Sequence, residues 1–427
     1  MSHFSYQNGA LCAEGLPLSQ IAAQFATPTY VYSKAAITEN YRAYAQACGH
    51  GTSTARDTLI CYSVKSNSNL AVLHLLSQLG SGFDIVSGGE LLRVLAAGGD
   101  PKKVIFSGVG KTRTEMRLAL EHGIACFNVE SIAELHRLNQ VAGEMYVKAA
   151  ISLRVNPNVD AKTHPYISTG LKENKFGVAF EDALAIYRIA AALPHLMVAG
   201  IDCHIGSQLL DDAPLLEALD KLIELIDLLA SENIAITHLD IGGGLGIDYA
   251  AEAPVAVSDY LTRLFQKIDT WRAQRYAGVP IRVLFEPGRS IVGNAGILLT
   301  EVEFLKPGSE KNFAIVNAAM NDLIRPAMYQ AWHGVLPVQP RDGQSATWDI
   351  VGPVCESSDW LARARPLSLE EGDLLAIMSA GAYGMTMASN YNSRARAAEV
   401  MVDGSTPHLI RQREQVSDLF ALERTLP

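Results

Sequence analysis

Thr58-Leu-Ile-Cys-Tyr-Ser-Val64-Lys65 is a run of β-forming, mostly apolar residues closed by a lysine. A lysine ammonium at the end of a buried strand is costly unless the side chain snorkels to solvent or the chain uses it. Partial desolvation favours the amine form, and the amine is what forms a Schiff base with an aldehyde. Lys65 is therefore a candidate for covalent chemistry. Outward from this run the same texture repeats. Short β-rich segments fall at 58–64, 83–86, 103–106, 124–129, 149–155, 197–205, 236–241 and 281–285. Between them lie amphipathic stretches such as Asn69 to Leu79, Gly89 to Ala97, Ser131 to Val141, Ala213 to Ala230 and Ser258 to Ala273. Eight strand–helix units predict a closed (β/α)8 TIM-like barrel with a parallel sheet. An open doubly wound sheet has the same period and stays as the rival.

Beyond Pro287 the pattern changes to Gly- and Pro-punctuated apolar runs, among them Gly296 to Phe304, Phe313 to Asn317 and Asp373 to Met378, which reads as a mostly β domain. The expected division is α/β: a barrel over 37–285 and a β-barrel-like domain over 286–427, with residues 1–36 joining the latter through a strand near Thr29-Tyr-Val-Tyr32. A chain of 427 residues with 48% hydrophobic content has ample material for two cores. No run of about 18 apolar residues occurs, and the first residues lack the pattern of a secretion signal, so a soluble, cytoplasmic protein is expected. The 6 cysteines form no CxxC pair, against a zinc site or a disulfide framework, and no metal is expected. A net charge of -10 argues against nucleic acid and anionic membranes as partners.

In a βα barrel the active site lies at the C-terminal ends of the strands, so chemistry-bearing residues should follow each apolar run. Lys65 follows the first, Asp84 lies in the second, His204 ends the sixth, Gly242-Gly-Gly-Leu-Gly246 follows the seventh and Glu286 the eighth. Each has an ordinary structural explanation: a turn aspartate, a core histidine, a tight glycine turn, a helix cap. Their common placement is what points to a site. Two motifs are decoys. Val104-Ile-Phe-Ser-Gly-Val-Gly110-Lys111-Thr112 has Ile105 where a Walker A loop needs glycine, and Ile247 stands where a dinucleotide fingerprint needs its third glycine. A glycine cluster still offers backbone N–H groups to a phosphate. A Schiff-base lysine, a phosphate nest, a histidine able to stack on a ring and a carboxylate able to hold a pyridinium proton together describe a pyridoxal phosphate site. A carboxylate at the ring nitrogen favours the electron sink; an arginine there would suit racemisation.

These residues, with Thr163 to Gly177, His204-Ile-Gly-Ser207-Gln, Glu286-Pro-Gly-Arg289, Met320 to Tyr329 and Gly352-Pro-Val-Cys355-Glu356-Ser-Ser-Asp359, resemble the barrel-type (fold type III) pyridoxal phosphate decarboxylases, and among them the diaminopimelate decarboxylases, nearly end to end. The resemblance implies a carboxy-lyase of lysine biosynthesis that converts meso-2,6-diaminopimelate to L-lysine and CO2 with pyridoxal 5'-phosphate. It implies that Lys65 links to the cofactor and Cys355 is the proton donor. Asp84, His204, Ser207, Gly243, Gly244, Glu286, Gly288, Arg289 and Tyr383 would contact the cofactor, with His204 on the ring and Glu286 at its nitrogen. Arg289, Arg325, Tyr329, Glu356 and Tyr383 match substrate contacts. Cys355 and Glu356 would complete the site of the other subunit of a homodimer. Ser63 and Ser66 depart from the pattern, since alanines are common there in relatives. Diaminopimelate carries a carboxylate and an ammonium at its unreactive end, which Arg325 and Glu356 suit; a site for a distal cation alone would be penalised by a desolvated arginine. The alternatives are a decarboxylase for another basic amino acid or a carboxylated polyamine, and a non-catalytic regulatory homologue.

Overall fold

The structure is a computed structural model and describes residues 3–160, 175–275 and 280–427. Most of the Thr163 to Gly177 stretch singled out above lies outside the described residues. The chain forms two compact units, one made of Asn40–Ile247 and Ala253–Ser290, the other of Met1–Glu39, Asp248–Glu252 and Ile291–Pro427.

The first unit is the barrel. Its strands are β1 (Thr58–Ser63), β2 (Gly82–Ile85), β3 (Val104–Phe106), β4 (Cys126–Val129), β5 (Ala149–Asn156), β6 (Leu196–Asp202), β7 (His238–Asp240) and β8 (Arg282–Phe285). Neighbours pair in parallel, and the ring closes where β8 meets β1, with Val283 opposite Thr58. Closure removes the open-sheet rival. A two-residue strand, Val178–Ala179, extends the ladder at the end of β5. The helices that follow β2, β3 and β4 start where short polar side chains take up free N–H groups. Ser87 accepts from the Glu90 N–H at 3.2 Å, Ser131 from the Glu134 N–H at 3.1 Å, and Thr112 forms a capping box with Glu115. Such caps contribute about 1 kcal/mol each. One boundary differs from the sequence reading: β6 stops at Asp202, so His204 stands two residues past the strand. Its carbonyl faces the Arg154 guanidinium at 3.5 Å instead of continuing the ladder.

The second unit is built on a long strand, Gly296–Lys306, which pairs antiparallel with Thr29–Ser33, Asn312–Val316 and Leu374–Ile377. The N-terminal strand Thr29–Ser33 also pairs in parallel with Ala398–Asp403, which turns back into Thr406–Arg411. On the other side Asn312–Val316 pairs in parallel with Ala346–Val351, followed by antiparallel Trp360–Leu367. Alternate residues supply one core: Val31, Ile297, Leu299, Ala376, Val400 and Val402 pack with Leu18 and Ile21 of the helix Leu18–Phe25. Each fully buried aliphatic side chain of this kind contributes roughly 1.5–3 kcal/mol.

Candidate active site

Strand alternation decides which barrel side chains face inward. Cys61, Ile105, Cys126 and Leu284 pack together from β1, β3, β4 and β8. These strands are not all neighbours, so their shared cluster lies inside the ring. Counting two residues onward along the same face reaches a different chemistry. Ser63, Asp84, Ser107, Asn128, Arg154, Asp202, Asp240 and Glu286, each within two residues of its strand's C-terminal end, are all polar and all buried. Two residues further stand Lys65, His204, Gly242 and Gly288.

Lys65 lies in the 3-10 turn Val64–Ser66 that leaves β1. Its Nζ donates to Asp84 Oδ2 at 2.9 Å; the lysine side chain is 33% exposed and the aspartate fully buried. Ser63 donates to the same Asp84 oxygen at 2.8 Å and to the Glu286 carbonyl at 3.1 Å. Ser66 is bonded to Tyr62 and to the Ser63 carbonyl. Of the two serines that depart from the family pattern, Ser63 thus ties β1 to β2 and the end of β8, and Ser66 closes the turn back onto β1. His204 receives the Gly243 N–H on Nδ1 at 3.2 Å. Burial, followed by the charges of Arg154 and Lys65, holds its pKa well below the usual imidazole value, so the ring is neutral with its proton on Nε2. Glu286 is pushed the other way. Burial first, then the charges of Asp84 and Asp240, raise its pKa well above the usual carboxyl range, against the pull of Lys65.

The glycine turn after β7 is fixed by what surrounds it. A Cβ on Gly243 would stand 2.1 Å from the Glu286 carbonyl oxygen, and Gly244 has φ +108 with the Gly206 carbonyl 2.3 Å from where a Cβ would be. Only glycine lets the backbone pass so close to the β8 end. Nearby, Arg289 donates to Ser207 Oγ at 2.9 Å, and a Cβ on Gly288 would press on Ser66 and Ser63. The chemistry of this donor set fits pyridoxal phosphate: an amine, a neutral imidazole, a buried carboxyl that can carry or share a proton, and an arginine beside a hydroxyl and a glycine turn. The decoy lysine has a structural use, since Lys111 Nζ is fully occupied by the Gly108 and Asn128 carbonyls and Glu134, at 2.7–2.8 Å.

The other candidates lie in the second unit. Arg325 opens the helix Arg325–Tyr329 and is buried, its guanidinium 5.4 Å from the Tyr249 ring centroid and 5.8 Å from that of Tyr329. Tyr249 in turn meets His333 edge-on at 5.3 Å. Cys355 and Glu356 are exposed on the loop between Ala346–Val351 and Trp360–Leu367. Asp359 closes that loop by accepting the N–H groups of Met320 and Val354. Asn392 accepts the Cys355 N–H at 3.0 Å, and the Tyr391 hydroxyl donates to Glu356. Tyr383 follows the strand Leu374–Ile377 with φ 56, a strained conformation for a tyrosine.

The sequence reading passed over Arg154, Asp202, Asp240, Tyr249, Tyr391 and Asn392. The first three carried a signal, since each is a charged residue at or near the end of an apolar run. The others depend on contacts between distant parts of the chain. Residues 34–293 match the model of the pyridoxal-dependent decarboxylases, pyridoxal binding domain. The chain is 58% identical over 428 residues to diaminopimelate decarboxylase of Vibrio cholerae and 58% identical over 427 residues to that of Pseudomonas aeruginosa, with 100% of both chains covered in each pair. A crystal structure of diaminopimelate decarboxylase from M. jannaschii in co-complex with L-lysine superimposes with a TM-score of 0.94 at 37% identity, covering 99% of this chain and 98% of that one. With end-to-end identity at this level, and a barrel whose strand ends carry the residues that pyridoxal chemistry needs, the chain belongs to the diaminopimelate decarboxylases, within the pyridoxal-dependent decarboxylase family.

Proposed function

We propose that this chain decarboxylates meso-2,6-diaminopimelate to L-lysine and CO2, the last step of lysine biosynthesis, with pyridoxal 5'-phosphate held at the C-terminal ends of the barrel strands. The observation that carries the reading is the convergence of Lys65, neutral His204 and high-pKa Glu286 in one barrel. Lys65 would hold the cofactor through Nζ, with Asp84 keeping that nitrogen in place. His204 would lie against the ring, Glu286 at its nitrogen, and Ser207, Gly243, Gly244, Gly288 and Arg289 around the phosphate, with Tyr383 as a further contact. When bound, the cofactor supplies an electron sink for the pair left behind as the carboxylate departs. Everything else is done by side chains. A neutral His204 packs on a cationic ring without repelling it. Arg289, Arg325, Tyr329, Glu356 and Tyr383 orient the amino acid, with Arg325 on the distal carboxylate and Glu356 on the distal ammonium. Cys355 delivers a proton from Sγ to the carbon that lost CO2. The 6 cysteines are all free thiols, which suits the reducing cytoplasm in which we place the reaction. Among the described residues no helix is long and apolar enough to cross a membrane.

A substrate panel tests the reading. CO2 release by the cofactor-loaded protein from meso-diaminopimelate should exceed that from L-lysine or L-ornithine by about 100-fold or more, because those amines bring no distal carboxylate to the buried Arg325 guanidinium. Comparable release from lysine would move the chain to the decarboxylases of other basic amino acids.

Cys355 and Glu356 point outward on an exposed loop, and this supports a homodimer in which they complete the partner's site. Mixing two inactive variants, Lys65→Ala and Cys355→Ala, should then restore part of the turnover, since a mixed dimer contains one site with both residues intact. Failure of the mixture to regain activity, with subunit exchange shown by mass, would place Cys355 and Lys65 in the same chain's site.

A further inference from the structure

Two adjacent residues of one turn grip two adjacent residues of the loop 352–359. The 3-10 turn Tyr391–Ser393 belongs to the same unit as that loop. Asn392 Oδ1 accepts the Cys355 N–H at 3.0 Å, and the Tyr391 hydroxyl donates to Glu356 Oε1 at 2.5 Å. Cys355, Glu356 and Ser357 are exposed, so apolar burial does not hold the tip of the loop. Asp359 ties down its base through the Met320 and Val354 N–H groups. The other backbone bonds of the tip are internal, from the Glu356 N–H to the Val354 carbonyl at 2.8 Å and from the Asp359 N–H to the Glu356 carbonyl at 3.0 Å. They curl the tip without aiming it. The turn supplies the outside reference.

That turn is kept at a conformational cost. Asn392 has φ 56 and Ser393 φ 55, both left-handed, a region that side chains disfavour and asparagine tolerates best after glycine. Such residues persist only where the surroundings over-determine them. Here the Ser389 N–H donates to the Asn321 carbonyl at 2.8 Å, and Asn390 donates to the Arg394 carbonyl at 3.0 Å and to Glu414 at 2.8 Å. Arg394 donates to Asn321 Oδ1 at 3.0 Å and to the Asn317 carbonyl at 2.5 Å. A glycine at 392 would satisfy the backbone; asparagine adds the acceptor for Cys355. Tyr391 is 44% exposed, so its ring adds little to a core while its hydroxyl is given to Glu356. We propose that Asn392 and Tyr391 are positioning residues for the reaction: Asn392 aims the Cys355 thiol through its backbone, and Tyr391 fixes one oxygen of Glu356 so that the other meets the distal ammonium of the substrate.

These roles rest on Cys355 as the proton donor and Glu356 as the ammonium partner, and the variants separate the two layers. Asn392→Gly keeps the left-handed backbone and loses the acceptor, whereas Asn392→Asp keeps both. In the holoenzyme Asn392→Gly should lower kcat by about tenfold with KM within about twofold, and Asn392→Asp should stay within about threefold of the parent in kcat. Tyr391→Phe should show the opposite split, a KM for meso-diaminopimelate raised about tenfold with kcat within about twofold. Hydrogen exchange followed by mass spectrometry reads the contact without turnover: the Cys355 amide should exchange about tenfold faster in Asn392→Gly and at the parental rate in Asn392→Asp. Parental kcat and exchange in Asn392→Gly, or a parental KM in Tyr391→Phe, overturns the proposal. Full turnover in Cys355→Ala or a parental KM in Glu356→Gln would instead overturn the roles on which it is built.

Discussion

Lys65→Ala is expected to lose covalent attachment of pyridoxal phosphate and to lower turnover by about 1,000-fold or more, a barrier increase of ~4 kcal/mol. The size of the effect follows from position. Lys65 sits on a short turn whose flanking serines are bonded into the strand ends, and its Nζ is anchored by a fully buried aspartate. Alanine removes both the nucleophile and the cationic partner of Asp84. The fold should survive, because the lysine is one-third exposed and its removal opens no apolar cavity. Borohydride reduction of the parent holoenzyme followed by peptide mass analysis should find the cofactor on Lys65, and on no residue in the variant. Full activity in Lys65→Ala would remove this residue from the chemistry.

Arg325→Ala is expected to raise KM for diaminopimelate by about 100-fold while leaving cofactor affinity within about twofold, the pattern of a lost charge-assisted contact to substrate. The guanidinium is buried and lies against two tyrosine rings, Tyr249 and Tyr329. Cation–π contacts contribute about 0.5–2 kcal/mol and hold the planar group in one orientation before substrate arrives. Arg325→Lys should rescue poorly, since a lysine offers neither the flat face for the rings nor two parallel N–H donors for a carboxylate. Steady-state kinetics beside a cofactor titration separates the two effects. An unchanged KM would remove Arg325 from substrate recognition.

Much of the barrel was legible because its strands are dense in β-branched, aromatic and leucine residues and the helices that follow β1 to β4 are capped by Asn69, Ser87, Thr112 and Ser131. The eight strand positions are shifted by no more than three residues at either end in the structure. Closure was not legible: the pairing of β8 with β1 joins residues more than two hundred positions apart. In the site, Lys65, His204 and Glu286 announced themselves by standing at or beyond apolar runs. Asp202 and Asp240 stand there too but were absorbed into the strands 197–205 and 236–241. Period alone does not say that an inward-facing strand position has become polar, and only the packed layer of Cys61, Ile105, Cys126 and Leu284 beneath shows that it has. Tyr249, Tyr391 and Asn392 left no local trace, since their partners Arg325, Glu356 and Cys355 are brought to them by the fold.

The central claim is the reaction itself, and chiral analysis of the product tests it most directly. Purified protein loaded with pyridoxal phosphate and given meso-diaminopimelate should form L-lysine in amounts equal to the CO2 released, with no D-lysine. Folded, cofactor-bound protein that forms no lysine, or that forms racemic lysine, would contradict the account.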